Sequence, residues 1–349
     1  IMDILGYLEK HKDKSFREYP FNDIDNLILS QLSYLPLAGI VPSMYEKGLT
    51  LYEVSLRYFS KYDDKYLKKQ WYLIPKVSNL LDKMAASRRY GDAILYNYVN
   101  IVDDHKQFGA LSIRLNDDSV YISYEGTDNT TVGWKEDFIM ACNYPGASQL
   151  LSVKYLNRAI RINDKVVRVG GHSKGGNLAI SAAMGCNFFV RNKIVAIYNN
   201  DGPGFLKEQI NSIKYKRISP KIKMFVPKDS IVGMILYHQV EYLVVKSTKL
   251  GIFQHDAFTW VCGDSTFVVD KLSNKSKNLG KKLNERLETL SPVDRARTVE
   301  TIFSIFEDND IKLLREINLK KFFDLFASFR NLDKETRKLV LDFVKLIFI

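Results

Sequence analysis

Residues 171–175, with the sequence GHSKG, place a serine between glycines in the spacing G-x-S-x-G. In that motif the serine lies on a strained turn between a strand and a helix, which exposes its Oγ above the sheet. A valine-rich segment precedes the motif and a run of small residues follows it. The pattern predicts Ser173 as a nucleophile, with the backbone amide of Lys174 directed at a developing oxyanion. A structural serine in a tight turn is the alternative.

The same stretch excludes two phosphate-binding motifs. A P-loop requires G-x-x-x-x-G-K-[ST], and a dinucleotide-binding turn requires G-x-G-x-x-G. Neither spacing is present in this stretch. In particular, Lys174 stands before the second glycine pair, whereas the lysine of a P-loop follows its last glycine. The turn is therefore not predicted to hold phosphate.

A serine nucleophile needs a general base, which in α/β-hydrolases is a histidine that follows the serine and the acid in the chain. Only His238 and His255 lie downstream of Ser173. The segment around His238 has helical or amphipathic character, whereas His255 lies in a loop-like segment between Gly251 and Trp260. Because the base comes from a loop at the edge of the sheet, His255 is the predicted base.

The carboxylate that orients the base has two candidates. Asp229 directly follows a predicted strand at 222–227, where the orienting acid is expected, and it is the favoured residue. Asp201 follows the preceding predicted strand and is its rival, with capping of the turn at 202–204 as its alternative role. Asp256 adjoins the base in the chain and is disfavoured, because neighbouring side chains usually diverge.

A second oxyanion donor is expected from a loop after an earlier strand. The predicted strand 119–125 ends at Gly126 and Thr127. The backbone amide of Thr127 is therefore the candidate donor, and an ordinary turn is the alternative.

The elements that must position these residues alternate between strands and helices. Helical spacing of apolar residues predicts a helix at 21–35, which Asn22 or Asp23 would cap. Such alternation is typical of an α/β fold with a largely parallel sheet and right-handed crossovers. The other predicted helices cover 50–60, 76–88, 150–162 and 176–186, and the predicted strands cover 108–115, 119–125, 166–170, 193–201 and 222–227.

The composition changes from about residue 271, where helix formers and charged residues begin to dominate. We therefore expect an α/β-hydrolase-like domain over 1–270, with a helical N-terminal part over about 1–90, and a helical C-terminal segment over 271–349. In that segment Leu283, Leu287 and Leu290 share a helical face, as do later apolar residues.

The chain carries 51 Lys and Arg residues against 40 Asp and Glu, a formal net charge of +11. The charge is spread along the chain without a basic tail, so no nucleic-acid partner is expected, whereas the charge is compatible with peripheral contact with an anionic membrane. The three cysteines are widely separated, which disfavours a disulfide framework or a zinc site and favours a cytoplasmic location. No segment approaches the ~18 apolar residues of a membrane span, and the N-terminus lacks the apolar core of a signal peptide.

Several motifs occur together in one order: ISYEGTD, WKEDF, GGHSKGGNLA, NNDGPGF, VPKDSIVG and QHDAFTW. Over roughly residues 3–265 this order resembles the Mbeg1-like family of α/β-hydrolases (DUF2974), and more distantly the class 3 lipases. The resemblance implies Ser173 as nucleophile, Asp229 as acid, His255 as base, and Thr127 and Lys174 as oxyanion donors. Such lipases usually have Leu in place of Lys174. We expect the ammonium group of Lys174 to be solvated near the mouth of the site, and a preference for anionic substrates is the alternative.

The residues and the resemblance together predict a serine hydrolase that cleaves a carboxylic ester, in particular a lipid-like acyl ester, through an acyl-enzyme and without a metal or organic cofactor. A thioesterase, amidase or acyltransferase with the same triad is the alternative, as is a non-catalytic binding protein with a hydrolase fold. The oligomeric state and the substrate are left open by the sequence.

Overall fold

The computed structural model describes residues 1–103, 106–127 and 144–295, together with Lys334, Arg337 and Lys338. In this part of the chain, eight strands form one sheet, and their order in space is their order in sequence. The strands are β1 Leu49–Thr50, β2 Ile94–Val102, β3 Gln107–Arg114, β4 Val120–Tyr124, β5 Val167–His172, β6 Ile194–Asn200, β7 Ile222–Pro227 and β8 Tyr242–Val245.

The sheet is mixed and changes direction at β4. Strands β1 to β4 pair antiparallel, whereas β4 to β8 pair parallel. The register aligns Tyr124 with Gly171, and Gly171 with Asn199. The carboxyl ends of β4, β5 and β6 therefore meet at one edge of the sheet, and the loops after them emerge side by side.

Helices precede the sheet and connect its parallel strands. The helix that was predicted over 21–35 begins with a capping box. In this cap, Asn22 Oδ1 accepts hydrogen bonds from the amides of Ile24 and Asp25. The helices are α1 Ile4–His11, α2 Asp23–Gln31, α3 Leu51–Lys61, α4 Asp64–Leu67, α5 Leu73–Ala85, α6 Ala147–Ala159, α7 Lys174–Gly185, α8 Phe188–Lys193, α9 Lys207–Asn211, α10 Ile213–Ile218 and α11 Asn274–Thr289.

Two hydrophobic layers cover the faces of the sheet. Along β4, Tyr121 packs in the layer that contains the N-terminal helices, whereas Val120 and Ile122 pack in the layer that contains α6 and α7. This alternation follows the period of two of a strand, and both faces are buried because helices cover each of them.

The α/β prediction is confirmed, and the architecture is consistent with the α/β-hydrolase fold. The predicted hairpin and the predicted strands before Ser173 and Asp201 are confirmed, but β1, β2 and β8 were not predicted. The segment around His238, predicted to have helical or amphipathic character, forms a short 3-10 helix at Val232–Met234 and is not helical at His238 itself. The segment 128–143, which includes WKEDF, and most of the predicted C-terminal helical segment lie outside the described residues. None of the helices in the described ranges combines the length and apolar character that a bilayer-spanning segment needs.

Candidate active site

Ser173 lies at the turn between β5 and α7, where the motif predicted it. Its backbone has φ 57° and ψ −131°, a conformation that side-chain-bearing residues rarely adopt and that costs about 1–3 kcal/mol. The turn is held by hydrogen bonds from Ser173 N to the Asn200 carbonyl and from Gly176 N to the Ser173 carbonyl, both 2.9 Å long. Strain retained at one residue within a tightly bonded turn is typical of a functional site.

Glycine is required at this turn because the backbone of β4 passes close to it. A Cβ on Gly175 would collide with the carbonyl oxygen of Tyr124, and a Cβ on Gly171 would collide with the backbone of Gly175. Only glycine therefore lets α7 begin directly against the end of β4. As a result, α7 begins at Lys174, directly after Ser173.

His255 and Asp201 form a hydrogen-bonded pair at the same edge of the sheet. His255 Nδ1 lies 2.6 Å from Asp201 Oδ2, and the Asp201 side chain is almost fully buried. The other carboxylate oxygen of Asp201 accepts from Ser230 Oγ at 2.5 Å and from the Gly233 amide at 3.2 Å. With Nδ1 donating to the carboxylate, Nε2 of the neutral imidazole carries a lone pair and can accept a proton.

Asp229, the acid favoured by the sequence, has other partners. Its Oδ2 accepts from Gln254 Nε2 at 2.9 Å and from the Gly251 amide at 3.1 Å, and its own amide donates to Gln254 Oε1 at 2.9 Å. The Gln254 carbonyl in turn accepts from the indole of the buried Trp260. Asp229 therefore fixes the loop that carries His255, whereas Asp201 contacts the imidazole itself.

The histidine before the nucleophile ties Ser173 to this loop. The His172 and His255 rings lie 4.6 Å apart, and His172 Nε2 lies 2.7 Å from the His255 carbonyl oxygen. A carbonyl oxygen only accepts, so Nε2 carries the hydrogen, and Nδ1 accepts from the Tyr34 hydroxyl at 3.0 Å. Burial, and secondly the nearby His255, keeps the pKa of His172 well below its usual range, so this ring is neutral.

Ser173 and His255 are linked through His172 rather than through a direct hydrogen bond. The hydrogen bonds of His255 in the described structure join its Nδ1 to Asp201 and its carbonyl oxygen to His172, and none joins its imidazole to Ser173 Oγ. Catalytic hydrogen bonds are commonly long before substrate binds and shorten in the substrate complex.

The loop after β4 lies against the same turn. A Cβ at Gly126 would collide with the Tyr34 hydroxyl and approach the His172 carbonyl oxygen, so the chain passes here without room for a side chain. Thr127 follows in the chain and is buried. The backbone amide of Thr127 therefore belongs to the segment that borders the nucleophile turn, as the second oxyanion donor must.

The expectation that the Lys174 side chain is solvated is wrong. Lys174 is fully buried, and its Nζ donates to the carbonyl oxygen and to Oε1 of Gln107, at 2.7 and 2.8 Å. Gln107 Nε2 donates in turn to the Gly126 carbonyl at 3.4 Å. The aliphatic stem of the lysine is long enough to cross from α7 to β3. Through Gln107, the ammonium group therefore joins the turn at Ser173 to the loop after β4.

His238 contacts Gly233, whose amide donates to Asp201. The His238 Nε2 donates to the Gly233 carbonyl at 2.9 Å. Burial lowers the pKa of His238 to about 4. In the described part of the chain its buried Nδ1 has no hydrogen-bond partner. His238 thus supports the loop around the acid and does not contact it directly.

The loop that leads to His255 exposes apolar side chains. Leu250 and Phe253, in the loop that ends at His255, have highly exposed side chains. A cavity of about 480 Å³ lies elsewhere, beside the N-terminal helices, and Arg57 and Tyr98 are among its lining residues. Among the described residues, no group of three His, Cys, Asp or Glu side chains is placed to hold a metal ion.

Four residues of the site were not anticipated from sequence. Tyr34, Gln107 and Ser230 contact the site through hydrogen bonds from elements that are distant in the chain, which spacing does not reveal. His172 stands within the nucleophile motif itself, and its position beside Ser173 was the one available signal.

The fold and the site together define an α/β protein of hydrolase-like architecture. The model of the family described as Mbeg1-like matches residues 84–304, which is more than half of the 349 residues. The chain therefore belongs to the Mbeg1-like family, as the resemblance implied. No protein with a curated description matches the chain significantly.

Proposed function

We propose that the protein hydrolyses carboxylic esters through a Ser173–His255–Asp201 triad. The observation that supports this most strongly is the 2.6 Å contact between His255 Nδ1 and the buried Asp201 carboxylate. Asp201 follows β6, which pairs with the strand that ends at the strained turn of Ser173. In this mechanism His255 Nε2 takes the proton from Ser173 Oγ as that oxygen attacks the ester carbonyl. The same imidazole then protonates the departing alkoxide, which leaves an acyl-enzyme for water to hydrolyse.

The proposed oxyanion hole consists of the backbone amides of Thr127 and Lys174. Each donor of this kind stabilises the transition state by about 3–4 kcal/mol in serine hydrolases. The burial of both residues supports the role, because hydrogen bonds to a developing charge are stronger where water is excluded. The contacts of the Lys174 side chain with Gln107 would hold the two donor segments at a fixed separation.

We assign the acid role to Asp201 and a positioning role to Asp229. Asp201 meets the requirement that the acid accept a hydrogen bond from Nδ1 and so fix the imidazole tautomer. Ser230 Oγ and the Gly233 amide donate to its other oxygen and hold the carboxylate in this orientation. Asp229 supports the same function indirectly, through Gln254 and the loop before His255.

The acyl part of the substrate is proposed to be apolar. Leu250 and Phe253 expose hydrocarbon surface to solvent in the loop of the base. Burying such side chains against an acyl chain is favourable by about 25 cal/mol for each Å² removed from water. Esters with longer acyl chains should therefore have lower KM values than acetyl esters, up to the length at which this surface is covered.

A fluorophosphonate probe tests the proposal, because it phosphonylates only an activated serine. The wild-type chain should gain the mass of one probe, and Ser173→Ala should gain none. Ser181→Ala is the matched control, since Ser181 is buried on the same helix, and this variant should label like the wild type. Hydrolysis of p-nitrophenyl esters should follow the labelling in all three proteins.

Two results would contradict the proposal. Labelling that persists in Ser173→Ala would move the nucleophile elsewhere. A wild-type chain that neither reacts with the probe nor hydrolyses any ester of a series would indicate a binding protein that retains the hydrolase architecture.

A further inference from the structure

The edge of the sheet opposite Ser173 is formed by the segments that lead into β5, β6 and β7. These segments cover 157–166, 186–193 and 214–221, and we call them together the basic edge. Because the three strands are parallel, their amino ends meet at this edge just as their carboxyl ends meet at the site. β5 has six residues, which separates the basic edge from Ser173 by about 20 Å.

Hydrogen bonds between the segments join the basic edge into one surface. Lys193 Nζ donates to the carbonyl oxygens of Arg161 and Ile162, at 2.8 and 2.7 Å. Lys221 Nζ donates to the Arg191 carbonyl at 3.3 Å. The segment before β5 therefore contacts the segment before β6, and that segment contacts the one before β7.

Cations strongly outnumber anions on the basic edge. The three segments contain three, two and four Lys or Arg residues in chain order, against one acidic residue, Asp164. Asp164 is buried, and its carboxylate accepts from Arg114 at 2.6 Å and from the Arg161 amide at 2.7 Å. The one carboxylate within these segments is thus turned into the protein, and the surface presents positive charge.

Large apolar side chains project from the same surface. Ile162 is 91% exposed, Phe189 is 77% exposed and Phe188 is 61% exposed. The two phenylalanine rings lie 6.0 Å apart, and the Arg191 guanidinium lies 6.0 Å from the Phe188 ring. Exposed aromatic and aliphatic side chains next to cations are the composition of surfaces that enter the interface of a bilayer.

We propose that the basic edge docks the protein on an anionic lipid surface, with Ile162, Phe188 and Phe189 entering the headgroup region. Cations near such a surface attract it over about a Debye length, and the apolar side chains add binding that salt does not screen. No spanning segment is needed for this mode, because the contact is peripheral.

The combination of features favours a membrane over a nucleic acid or a protein. A nucleic-acid surface is bound mainly by phosphate contacts, and its affinity falls steeply with salt. The protruding Ile162 has no planar face to stack on a base, whereas an aliphatic side chain is well accommodated among lipid tails. A protein partner would usually require a concave or flat apolar area rather than a few projecting side chains among cations.

This docking would leave the candidate active site facing away from the lipid. Ser173 lies at the carboxyl ends of the strands and the basic edge at their amino ends, so a molecule docked on this edge opens its site to the aqueous phase. The proposal is therefore one of recruitment to a membrane and does not depend on the proposed ester hydrolysis.

Sedimentation of the full chain with vesicles tests the charge component. Vesicles of phosphatidylcholine with about a third phosphatidylserine should bind the wild type, and pure phosphatidylcholine should bind it far less. Changing the exposed Lys165, Lys216 and Arg217 to Gln should weaken partitioning by about 100-fold, since each cation contributes a factor of about five. The control Lys65→Gln/Lys68→Gln/Lys69→Gln removes the same charge from exposed positions elsewhere and should bind like the wild type.

A second pair of variants tests the apolar component. Phe188→Ser/Phe189→Ser should weaken binding to the same vesicles by about tenfold or more, and the loss should persist at high salt. The control Tyr52→Ser/Leu56→Ser changes exposed apolar residues on α3 and should leave binding unchanged. Fluorophosphonate labelling of Ser173, if the proposed function holds, should be equal in all of these variants.

The proposal is overturned if the triple glutamine variant of the basic edge and its triple glutamine control lose binding equally. The attraction to the vesicles would then reflect the net charge of the protein alone. It is also overturned if the phenylalanine variant binds vesicles as well as the wild type while homopolymer RNA displaces the wild type from them, which would assign the surface to nucleic acid. Failure of the wild type to bind anionic vesicles would exclude it directly, whatever the result of the labelling.

Discussion

The Asp201 carboxylate accepts a hydrogen bond from His255 Nδ1 at 2.6 Å, across 54 positions of sequence. Asp201 has a backbone φ of 52°, and its amide donates to the Phe225 carbonyl at 2.8 Å. The chain thus turns sharply after β6, and the turn directs the carboxylate toward the loop of the base. Ser276 at the start of α11 donates to the Ser230 carbonyl, which connects the C-terminal part of the chain to the residue that donates to Asp201.

Replacing Asp201 should affect catalysis far more than replacing Asp229. Asp201→Asn keeps the shape of the side chain but presents a group that favours the wrong imidazole tautomer, and we expect kcat for ester hydrolysis to fall by about 10⁴. Asp229→Asn keeps an acceptor for Gln254 and Gly251, so kcat should fall by less than about tenfold. Steady-state kinetics with a p-nitrophenyl ester measures both.

Circular dichroism of the two asparagine variants should be indistinguishable from that of the wild type, which separates the kinetic effect from misfolding. The opposite ranking of the two variants would return the acid role to Asp229.

His172 and Tyr34 should position the base without touching substrate. Tyr34→Phe removes the hydroxyl that donates to His172 Nδ1, and His172→Phe removes the contact with the His255 carbonyl as well. Misplacement of a catalytic group by about 1 Å costs up to about a hundredfold in rate. We therefore expect kcat to fall by about tenfold in Tyr34→Phe. In His172→Phe, which loses both contacts, kcat should fall by up to about a hundredfold. KM should change little in either variant, because neither side chain is proposed to bind substrate. A rise in KM with unchanged kcat would instead assign these residues to substrate binding.

Lys174 should contribute to stability through its buried side chain. Lys174→Met keeps most of the volume but removes the ammonium donor to the carbonyl oxygen and Oε1 of the buried Gln107, whose carbonyl still accepts from Ser148. We expect this loss to cost about 1–3 kcal/mol in the free energy of unfolding. Urea denaturation measures this, and Lys165→Met, at an exposed position, should change the free energy by less than about 0.5 kcal/mol. Equal values for the two variants would show that the Lys174 ammonium group is hydrated in solution.

Acid should destabilise the protein through His238. Burial lowers its pKa to about 4 in the folded state, whereas an unfolded chain takes up this proton near the ordinary value of 6.5. Between these values the unfolded state holds more protons, so stability falls as the pH drops through the window and levels off below it. The full loss from this residue is about 3 kcal/mol at most, and His172, with a pKa shifted in the same direction, adds to the trend.

The matched variant is His238→Gln, which retains a donor for the Gly233 carbonyl but does not titrate. Urea denaturation at about pH 7.5 and about pH 5 should show a smaller pH dependence in this variant than in the wild type. Identical slopes in the two proteins would mean that His238 is protonated in the folded state at the lower pH.

The sequence was sufficient for local features of the site and insufficient for long-range ones. The turn at Ser173 was predictable because motif, strand and helix all lie within one short stretch. Asp201 and Asp229 both follow strands, and what separates them is the path of the 249–255 loop, in which Gln254 contacts Asp229. Strand β2 was missed because a bulge between Tyr96 and Val99, with Asn97 at φ 54°, interrupts the alternation of apolar residues.

The ion pair between Arg89 and Asp25 should be the main electrostatic support of the N-terminal helices. Both side chains are fully buried, and two hydrogen bonds of 2.6 and 2.8 Å join the guanidinium to the carboxylate, which also accepts from Tyr90. Arg89→Met leaves that carboxylate buried without its partner, which costs about 3–5 kcal/mol, whereas Arg88→Met breaks an exposed pair with Glu18 and should cost less than about 1 kcal/mol. Urea denaturation compares the two neighbours directly, and Arg89→Met/Asp25→Asn should recover part of the loss because it removes the unpaired charge. If Arg89→Met matched Arg88→Met in stability, the Asp25 carboxylate would have to be hydrated or protonated, and the packing of α1, α2 and α5 would then account for the stability of this region without the ion pair.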